Sequence, residues 1–262
     1  MKTNKGLPLV SVLTIVKNGE SSIVATIDSV IKQNYINIEY VIIDGGSNDK
    51  TINLINEKID SRIIFLKVKD NGVYYGMNNA IHKSKGDLIA ILNCGDFFVD
   101  NDVITKVVNL YNKTPDKMSV FNGGIRFVNN EGKKITDLIR KEPIMHLKYF
   151  FMPINHPAFF VPKKVYEAYG VFNTDFKVGA DYEFVLRLAK NKVNFCFFSD
   201  ICTSVKPLGL SSYSNNKITQ LKECFAIRQL FINSVFNKAI TIILFIAMSR
   251  PRFNNKDRLI KN

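Results

Sequence analysis

A regular alternation of apolar runs and helical spacing, from Val10 to Gly95, constrains the fold more than any other feature of this sequence. Four apolar runs of strand length occupy residues 10–16, 38–43, 63–68 and 88–92. Between them, apolar residues recur every three or four positions, as on the buried face of a helix. These residues are Ile23, Ile27, Val30 and Ile31, then Ile52, Ile55 and Ile59, then Met77, Ala80 and Ile81. Because repeated β-α units form parallel sheets with right-handed crossovers, the sequence predicts an α/β fold with a Rossmann-like, mostly parallel central sheet flanked by helices.

Three of the predicted strands are followed by an aspartate. Asp44, Asp70 and Asp96 come after the second, third and fourth apolar runs. A single aspartate in such a position is usually a turn former or a helix cap. The carboxyl ends of parallel strands, however, meet at one edge of the sheet, where α/β proteins bind their ligands. Three carboxylates at this edge predict a site for hydroxyl or imide donors, or for a divalent cation.

The fourth run leads into the residue on which the predicted site depends most. Residues 88–92 are all apolar, as in a strand buried on both faces, and Asn93-Cys94-Gly95-Asp96 follows at once. Removing a carboxylate from water is costly unless a cation accompanies it. Asp96 therefore either begins a turn or caps the next helix, or it holds a cation at the sheet edge.

Composition narrows the choice of partners. The net charge of +13 favours an anionic partner, such as nucleic acid, a membrane surface or a phosphate-bearing small molecule. The core has no clustered basic-aromatic motif, which argues against nucleic acid. Four cysteines and three histidines show no metal-ligand spacing, which argues against zinc and for a reducing compartment. Neither a GxGxxG motif after the first run nor a P-loop motif occurs, so a dinucleotide fold and a P-loop ATPase are not indicated.

The N-terminal apolar run has two interpretations. Lys2 and Lys5 precede the apolar stretch at residues 7–16, as in a signal peptide. The stretch lacks a small-residue cleavage site, and Lys17 follows it directly, so it is interpreted as the first buried strand. No apolar run in the chain is long enough for a membrane-spanning helix.

The pattern changes after Asp96. Residues 119–132 predict a hairpin, residues 158–169 predict a short strand and a short helix, and residues 133–155 have no clear pattern. Asp181 lies at the start of the next predicted helix. A carboxylate there is either an N-cap, worth about 1 kcal/mol, or a base held rigidly over a site.

Short motifs follow one another in a characteristic order along the chain. They are Ser11-Val12-Leu13-Thr14, Asp44-Gly45-Gly46-Ser47, Asp70-Asn71-Gly72-Val73-Tyr74 with Met77-Asn78, Leu92-Asn93-Cys94-Gly95-Asp96, His156-Pro157-Ala158, Gly170-Val171-Phe172 and Asp181-Tyr182-Glu183-Phe184. From about residue 10 to 205 the chain resembles glycosyltransferases of family 2, which have the GT-A fold. The nearest resemblance is to bacterial enzymes of capsule, O-antigen and colanic-acid-type polysaccharide synthesis.

The resemblance implies a division of the chain. Residues 1–208 would form a GT-A catalytic domain, with a nucleotide-sugar-binding half at 8–98 and an acceptor half at 99–208. Residues 209–262 would form a loop followed by a basic, amphipathic helical tail, which is a C-terminal helical extension of the fold.

The resemblance also implies roles for individual residues. The donor, a nucleotide-diphosphate sugar and often a UDP-sugar, would be bound by Thr14, Asp44, Asp70, Asn78, Asn93 and Gly95. Asp96 matches the retained acid of a DxD-type motif, which binds Mn²⁺ or Mg²⁺ bridging the diphosphate. Asp181 matches the general base that takes the proton of the acceptor hydroxyl, so that attack opposite the leaving group inverts the anomeric centre. His156, Tyr182 and Glu183 would contact the acceptor or the diphosphate, although a histidine before a proline is equally well explained as structural.

Three positions depart from the family pattern. Gly95 stands where many members carry a first aspartate, so only one side-chain metal ligand is expected. Lys17 stands where an aromatic residue often packs near the base, which weakens the argument for uracil. Tyr75 stands where an acid is common, which bears on the choice of donor sugar.

The end of the chain is strongly basic. From residue 217 onward there are nine Lys and Arg against one Glu and one Asp, a net charge of +7. The apolar segment at 239–248 is too short to span a bilayer but long enough to lie in its surface, with cations on anionic headgroups. Alternatively, the segment packs on the catalytic domain or forms a dimer. Membrane association is favoured because the acceptors of the resembled family are commonly lipid-linked on the cytoplasmic face.

Two functions therefore remain open from the sequence. The first is an inverting, metal-dependent glycosyltransferase that is cytoplasmic and peripherally associated with the inner face of a bacterial membrane. It would act on a nucleotide-diphosphate sugar donor and a saccharide or lipid-linked acceptor, and not on nucleic acid. The second is a catalytically silent GT-A-fold protein that docks on the membrane and binds other assembly enzymes, an interpretation supported by the missing first acid at Gly95.

Overall fold

In the first half of the chain, four parallel strands alternate with helices. The computed structural model describes residues 6–58, 60–206 and 217–249. The strands are β1 (Val10–Val16), β2 (Ile38–Asp44), β3 (Ile63–Lys67) and β4 (Leu88–Ile91). The helices are α1 (Ile23–Ile31), α2 (Thr51–Asn56) and α3 (Val73–Lys83). The strand order is β3-β2-β1-β4 and every pair is parallel, so the predicted β-α alternation is confirmed.

The sheet is covered on both faces. All seven residues of β2 and all four of β4 are buried, as their continuous apolar sequences predict. The apolar side of α1 packs on one face through Ile23, Ile27 and Val30. The apolar side of α3 packs on the other face through Met77 and Ala80. Ile59, expected on the inner side of α2, lies outside the described residues.

The second half of the sheet is mixed. Its strands are β5 (Phe97–Phe98), β6 (Val120–Val128), β7 (Lys134–Leu138), β8 (Phe159–Pro162) and β9 (Phe195–Val205). In the described residues they continue the sheet as β4-β8-β6-β9-β5, with β7 paired to β6. β8 runs antiparallel to both β4 and β6, while β6 and β9 are parallel. All pairs among β1 to β4 are therefore parallel, whereas the second half of the sheet combines one parallel pair with antiparallel pairs, which need no β-α-β crossover.

The helices of the second half are α4 (Val103–Lys113), α5 (Lys163–Tyr169) and α6 (Ala180–Lys190). The predicted hairpin is formed by β6 and β7. The stretch without a clear sequence pattern contains β7 and two 3₁₀ helices, Glu142–Leu147 and His156–Ala158. The second of these 3₁₀ helices brings a histidine to the start of α6.

Two helices follow the sheet, α7 (Lys217–Gln229) and α8 (Ser234–Ser249). Ile227 of α7 is fully buried against Tyr182 and Leu186 of α6. The first helix of the expected tail therefore packs on α6, within the residues expected to form the acceptor half. The loop at 209–216 and the basic residues from 250 onward lie outside the described residues, so the division at residue 208 stays a prediction.

Candidate active site

A cavity of about 350 Å³ opens at the carboxyl ends of β1, β2 and β3, and Lys17 and Asp70 lie in its wall. The ammonium of Lys17 is 2.7 Å from Oδ2 of Asp70, and both side chains are about half exposed. This hydrogen-bonded cation holds the pKa of Asp70 below its usual value. Oδ1 of Asp70 accepts a hydrogen bond from the backbone N–H of Gly72 at 2.9 Å. Asp70 is therefore ionised and oriented at the sheet edge, as the sequence led us to expect.

A glycine in α3 brings this helix directly onto the sheet beside the cavity. A Cβ atom at Gly76 would lie 2.9 Å from a methyl carbon of Ile15 in β1. Both residues line the cavity. Any larger residue at position 76 would push α3 away from β1 and change the shape of the cavity.

Asp44 lies beneath the loop that follows β2. It is fully buried, and its Oδ1 accepts hydrogen bonds from the backbone N–H groups of Gly46 and Ser47, each at 3.0 Å. Its Oδ2 accepts a short hydrogen bond from the hydroxyl of Ser47. Gly46 has a φ of +87°, which only glycine adopts without strain. Asp44 therefore shapes the backbone at the strand end, whereas Asp70 faces the cavity.

Asp96 is a partly buried acid that follows β4. The turn before it requires Gly95, whose φ is +99° and whose N–H donates to Oγ1 of Thr26 in α1 at 2.9 Å. Burial raises the pKa of Asp96 to about 7, and a hydrogen bond from the side chain of Asn93 opposes this shift. Within the described part of the chain no lysine or arginine pairs with Asp96. The carboxylate thus has a partly buried position that favours a bound cation, but no cationic side chain of the described residues is paired with it.

Asp181 lies in the first turn of α6, and the N-cap residue of this helix is Gly179. The interpretation of Asp181 as an N-cap is therefore wrong. Its Oδ1 accepts a hydrogen bond from the N–H of Tyr182 at 2.8 Å and lies 3.0 Å from the hydroxyl of Tyr74. Its Oδ2 lies 3.9 Å from Nδ1 of His156. The structure thus brings two of the predicted residues, Asp181 and His156, to one place.

Tyr74 fixes the orientation of this carboxylate. Its ring is buried, and its hydroxyl also lies 2.9 Å from the carbonyl oxygen of Val178, just before α6. Burial raises the pKa of Tyr74, and the negative charge of Asp181 raises it further. Tyr74 therefore remains a neutral donor that holds Oδ1 of Asp181 in place.

Two of the predicted donor-binding residues, Thr14 and Asn78, form hydrogen bonds with the protein backbone. The hydroxyl of Thr14 is fully buried and donates to the carbonyl oxygen of Leu92 at 2.7 Å, which ties β1 to β4. The amide of Asn78 forms two hydrogen bonds with the backbone of Phe172, at 2.8 and 3.0 Å. Neither residue lines the cavity at the ends of β1 to β3. A donor contact through these two side chains stays a prediction.

Of the two predicted acceptor- or diphosphate-binding residues in α6, Tyr182 lines a cavity and Glu183 does not. The hydroxyl of Tyr182 donates to the carbonyl oxygen of Lys148 at 2.7 Å, and its ring lines a second cavity together with Asp181. Glu183 is buried and accepts two hydrogen bonds from Arg187, at 3.1 and 2.8 Å. Glu183 therefore holds α6 to the preceding loop through Arg187 and lies away from this cavity.

The second cavity has a volume of about 430 Å³ and lies between residues 140–152, the start of α6 and one side of α7. Its charged lining consists of Asp181, Arg140 and Arg228. Nε of Arg140 is buried without a hydrogen-bond partner in the structure, and burial lowers the pKa of this guanidinium. The cavity thus places two cations near the predicted base.

Helix α7 also holds the segment that carries Asp181. Oε1 of Glu223 accepts a hydrogen bond from the N–H of Lys177, and Oε2 accepts from the N–H groups of Val178 and Gly179, all at 2.9 Å. A Cβ atom at Gly179 would lie 2.8 Å from Ile227, so glycine permits the close approach of α7. Glu223 therefore binds the free N–H groups that precede α6, as a capping side chain would.

Sequence reasoning missed Tyr74, Arg140, Glu223 and Arg228. Tyr74 was part of a motif but had no role assigned to it. Glu223 carried a usable signal, because it is one of two acids in the basic segment from 217 onward. The arginines carried none, since their positions depend on how α7 and residues 140–152 fold around Asp181.

The residues at the sheet edge fit a divalent cation that is shared with a ligand. Within the described residues, no group of three or more His, Cys, Asp or Glu side chains could hold a metal ion alone. Mg²⁺ and similar cations, however, often bind through one or two carboxylates and the phosphates of a substrate. Asp96 offers a hard oxygen ligand of this kind.

The fold agrees with that of solved nucleotide-sugar-binding proteins. The crystal structure of S. aureus TarS 1-349 in complex with UDP-GlcNAc matches with a TM-score of 0.67 and 14% identity, covering 97% of this chain and 76% of that one. The mannosyltransferase PcManGT from Pyrobaculum calidifontis, in complex with GDP-Man and Mn²⁺, matches with a TM-score of 0.65 and 17% identity, covering 94% and 71%. The chain has the GT-A fold, with helices at its C-terminal end.

The family follows from the sequence match. The profile of glycosyl transferase family 2 matches residues 11–170, and the chain belongs to this family. An uncharacterized glycosyltransferase of Rickettsia felis is 28% identical over 194 residues, which cover 70% of this chain. The matched segment spans 32% of that relative's length. In the part of the chain that the structure describes, no helix has both the length and the apolar composition needed to cross a membrane.

Proposed function

We propose that the chain transfers a sugar from a nucleotide-diphosphate sugar to a saccharide acceptor, with inversion at the anomeric carbon. The observation that carries this proposal is the pair of differently held acids: Asp96, partly buried at the strand edge with no lysine or arginine paired to it among the described residues, and Asp181, fixed in the first turn of α6. The first suits a cation on the leaving diphosphate and the second suits a base. Family membership supports the same reaction class.

The donor would bind across the carboxyl ends of the strands. The cavity beside Asp70 and Lys17 suits the nucleoside, with Asp70 placed to accept hydrogen bonds from ribose or base. Because structural neighbours hold UDP-GlcNAc and GDP-Man, both nucleotides fit this fold, and we favour UDP. Asp96, with Asn93 and the turn at Gly95 beside it, would hold a divalent cation, Mn²⁺ or Mg²⁺. When bound, that cation neutralises charge on the diphosphate as a Lewis acid.

The acceptor would react beside Asp181. Since Oδ1 is engaged by Tyr74 and the N–H of Tyr182, Oδ2 is the oxygen that accepts the proton of the acceptor hydroxyl. The hydroxyl oxygen then forms the bond to the anomeric carbon as the bond to the diphosphate oxygen breaks. His156, whose Nδ1 is 3.9 Å from Oδ2, lies where it can contact either the acceptor or the diphosphate. A positioned base of this kind contributes about 10²–10⁴-fold to the rate.

Calorimetric titration with UDP, with and without Mn²⁺, tests the donor half of the proposal. We expect binding to require the metal and to be lost in Asp96→Asn. Asp100→Asn is the matched control, because Asp100 is ion-paired with Lys106 at 2.8 Å and lies only four residues away. Nucleotide binding that depends on neither Mn²⁺ nor Asp96 would contradict the proposed role of Asp96 as a metal ligand.

The competing function is a silent binding protein. It is favoured by one observation: among the described residues no group of three or more His, Cys, Asp or Glu side chains could hold a metal ion. Hydrolysis of the donor without acceptor separates the two functions, because a silent protein would release no free sugar even at high concentration. Failure of UDP, GDP and other nucleoside diphosphates to bind with Mn²⁺ would also favour the silent protein.

We further propose that α8 binds the surface of an anionic membrane and so brings the enzyme to a lipid-linked acceptor of bacterial surface polysaccharide synthesis at the cytoplasmic face. Val235, Phe236, Ile242 and Ile243 lie on one side of α8 and are exposed by 80, 48, 59 and 54%. Residues 250–262 add five Lys and Arg against one Asp in the sequence. Exposed apolar residues beside cations suit the headgroup region of anionic lipids.

Sedimentation with vesicles tests this binding. We expect the chain to sediment with anionic vesicles and to do so several-fold less when Ile242 and Ile243 are both changed to Ser. Ile36→Ser, at an apolar residue exposed in the donor half, is the control. Equal sedimentation of all three proteins would contradict membrane binding through α8.

A further inference from the structure

Two arginines, Arg140 and Arg228, line the cavity beside Asp181, and the proposed reaction does not use their charge. Arg228 is 1% exposed, and its Nε and Nη2 donate to the side-chain oxygens of Asn237 and Thr241, at 2.9 and 2.7 Å. These partners and the Tyr182 hydroxyl, which also bonds this guanidinium, are all neutral groups. Among the described residues no carboxylate forms an ion pair with Arg228.

Arg140 lies in the wall of the same cavity and is likewise unpaired. Its guanidinium lies over the ring of Phe151, 5.6 Å from the ring centroid, and its buried Nε has no hydrogen-bond partner in the structure. A buried N–H without a partner is unfavourable, and more so when the group is charged. Neither guanidinium is ion-paired with a carboxylate of the described residues, although Asp181 lines the same cavity, so an anionic ligand is expected to stabilise both.

The acids of the donor edge do not explain this charge. Asp44, Asp70 and Asp96 are absent from the lining of the cavity, which is formed by residues 140–152, the start of α6 and α7. Asp70 and Lys17 line the other cavity, at the ends of the strands. The two arginines thus line a cavity that contains Asp181 but none of the three acids at the strand ends.

We propose that this cavity binds an acidic group of the acceptor, a phosphate or a carboxylate, through Arg140 and Arg228, and so selects anionic saccharide acceptors. This inference rests on the proposed function, because it assumes that Asp181 activates an acceptor hydroxyl. Arginine suits the role because its planar fork of N–H donors matches carboxylate and phosphate oxygens. Phe150 and Tyr182 supply apolar walls for the remainder of the acceptor.

The test titrates the full chain, in EDTA, with inorganic phosphate, glucuronate and uncharged glucose. EDTA removes divalent metal, so that phosphate cannot bind through a cation at Asp96. We expect saturable binding of phosphate, of glucuronate or of both, with affinity lowered roughly tenfold or more in Arg140→Gln. The anion that binds more tightly identifies the acidic group of the acceptor as a phosphate or a carboxylate. Glucose should not bind at the same concentrations.

Lys141→Gln is the matched control, since it removes one positive charge at the next residue without altering the lining of the cavity. Arg228→Lys is a second variant, which keeps the charge but loses the planar fork and should weaken anion binding while the chain stays folded. Equal affinity in wild-type and Arg140→Gln protein, or no saturable binding of either anion, would overturn the proposal.

Titration of Arg140→Gln with UDP and Mn²⁺ distinguishes an acceptor anion from the donor diphosphate. We expect the affinity for UDP to equal that of the wild type. A fall in UDP affinity as large as the fall in phosphate affinity would assign the arginines to the donor and overturn the inference. Because wild-type binding of UDP with Mn²⁺ is measured separately, loss of the proposed function and loss of this subsite give different results.

Discussion

The proposed donor edge, at the carboxyl ends of β2, β3 and β4, and the proposed acceptor cavity, the one beside Asp181, are built in different ways. The donor edge is formed by the ends of consecutive strands, where Asp44 ends a parallel strand and Asp70 and Asp96 each follow one. The acceptor cavity is assembled from residues 140–152, the start of α6 and helix α7, which are far apart in the chain. The donor edge is therefore determined by local sequence, whereas the acceptor cavity depends on tertiary packing.

The two regions also hold their acids differently. Asp96 is partly buried and no lysine or arginine among the described residues pairs with it, so its charge depends on a ligand. Asp181 receives hydrogen bonds from the protein itself, through Tyr74 and the N–H of Tyr182. We infer that the charge of Asp96 is balanced only when a metal-bound nucleotide is present. Asp181, in contrast, is already oriented before any ligand binds. Separate variants should therefore affect binding and chemistry independently.

The largest expected effect is at the base. Asp181→Asn should lower the rate of sugar transfer by about 10²–10⁴-fold, because the amide cannot accept the acceptor proton. Binding of UDP with Mn²⁺, measured by calorimetry, should remain close to wild type. If transfer persists at the wild-type rate, Asp181 is not the base, and a comparable loss of UDP binding would mean that the two regions are not separable.

The sequence predicted that Asp70 and Asp96 lie at strand ends, but it did not predict which segments surround Asp181, and the roles of these acids stay predictions. Asp70 and Asp96 were located because apolar runs end just before them, and the carboxyl ends of parallel strands share an edge. β9 was missed because Ser199 and Asp200 interrupt its apolar pattern. The residues around Asp181 come from segments with no periodic pattern, such as 133–155, and their meeting is decided by packing and not by local propensity.

A second effect should appear in the pH dependence of Asp96. The pKa of Asp96 is about 7 in the folded protein and 3.8 in a model peptide, so the folded state binds the extra proton between these values. Stability of the metal-free protein should therefore fall as pH rises from about 4 to about 7, by at most about 1.4 kcal/mol per pH unit. Thermal unfolding of wild type and Asp96→Asn at several pH values measures this contribution.

The same carboxylate must lose its proton to bind a cation. Metal-dependent binding of a UDP-sugar should therefore weaken as pH falls below about 7, by up to about tenfold per unit. Asp100→Asn should follow the wild-type profile, since Asp100 is paired with Lys106. Coinciding stability profiles for wild type and Asp96→Asn would show that Asp96 does not titrate in this range.

The smallest expected effect tests how the acceptor region depends on α7. Glu223→Gln leaves one oxygen and an NH₂ group to face the three N–H groups of Lys177, Val178 and Gly179. At least one N–H then loses its partner, which should lower stability by about 1–3 kcal/mol and shift the start of α6. We expect transfer to slow by roughly tenfold, because small displacements of a positioned group have large effects on rate.

A measurement of donor binding distinguishes a role of Glu223 in positioning Asp181 from a general loss of stability. Measured well below the unfolding temperature, Glu223→Gln should bind UDP and Mn²⁺ like the wild type while its kcat falls. Glu131→Gln, in the exposed turn between β6 and β7, is the control and should change neither property. If Glu223→Gln loses stability but keeps its full kcat, α7 supports the fold without orienting Asp181. The position of Asp181 would then not depend on the contacts of α7, contrary to the proposal that tertiary packing forms this cavity.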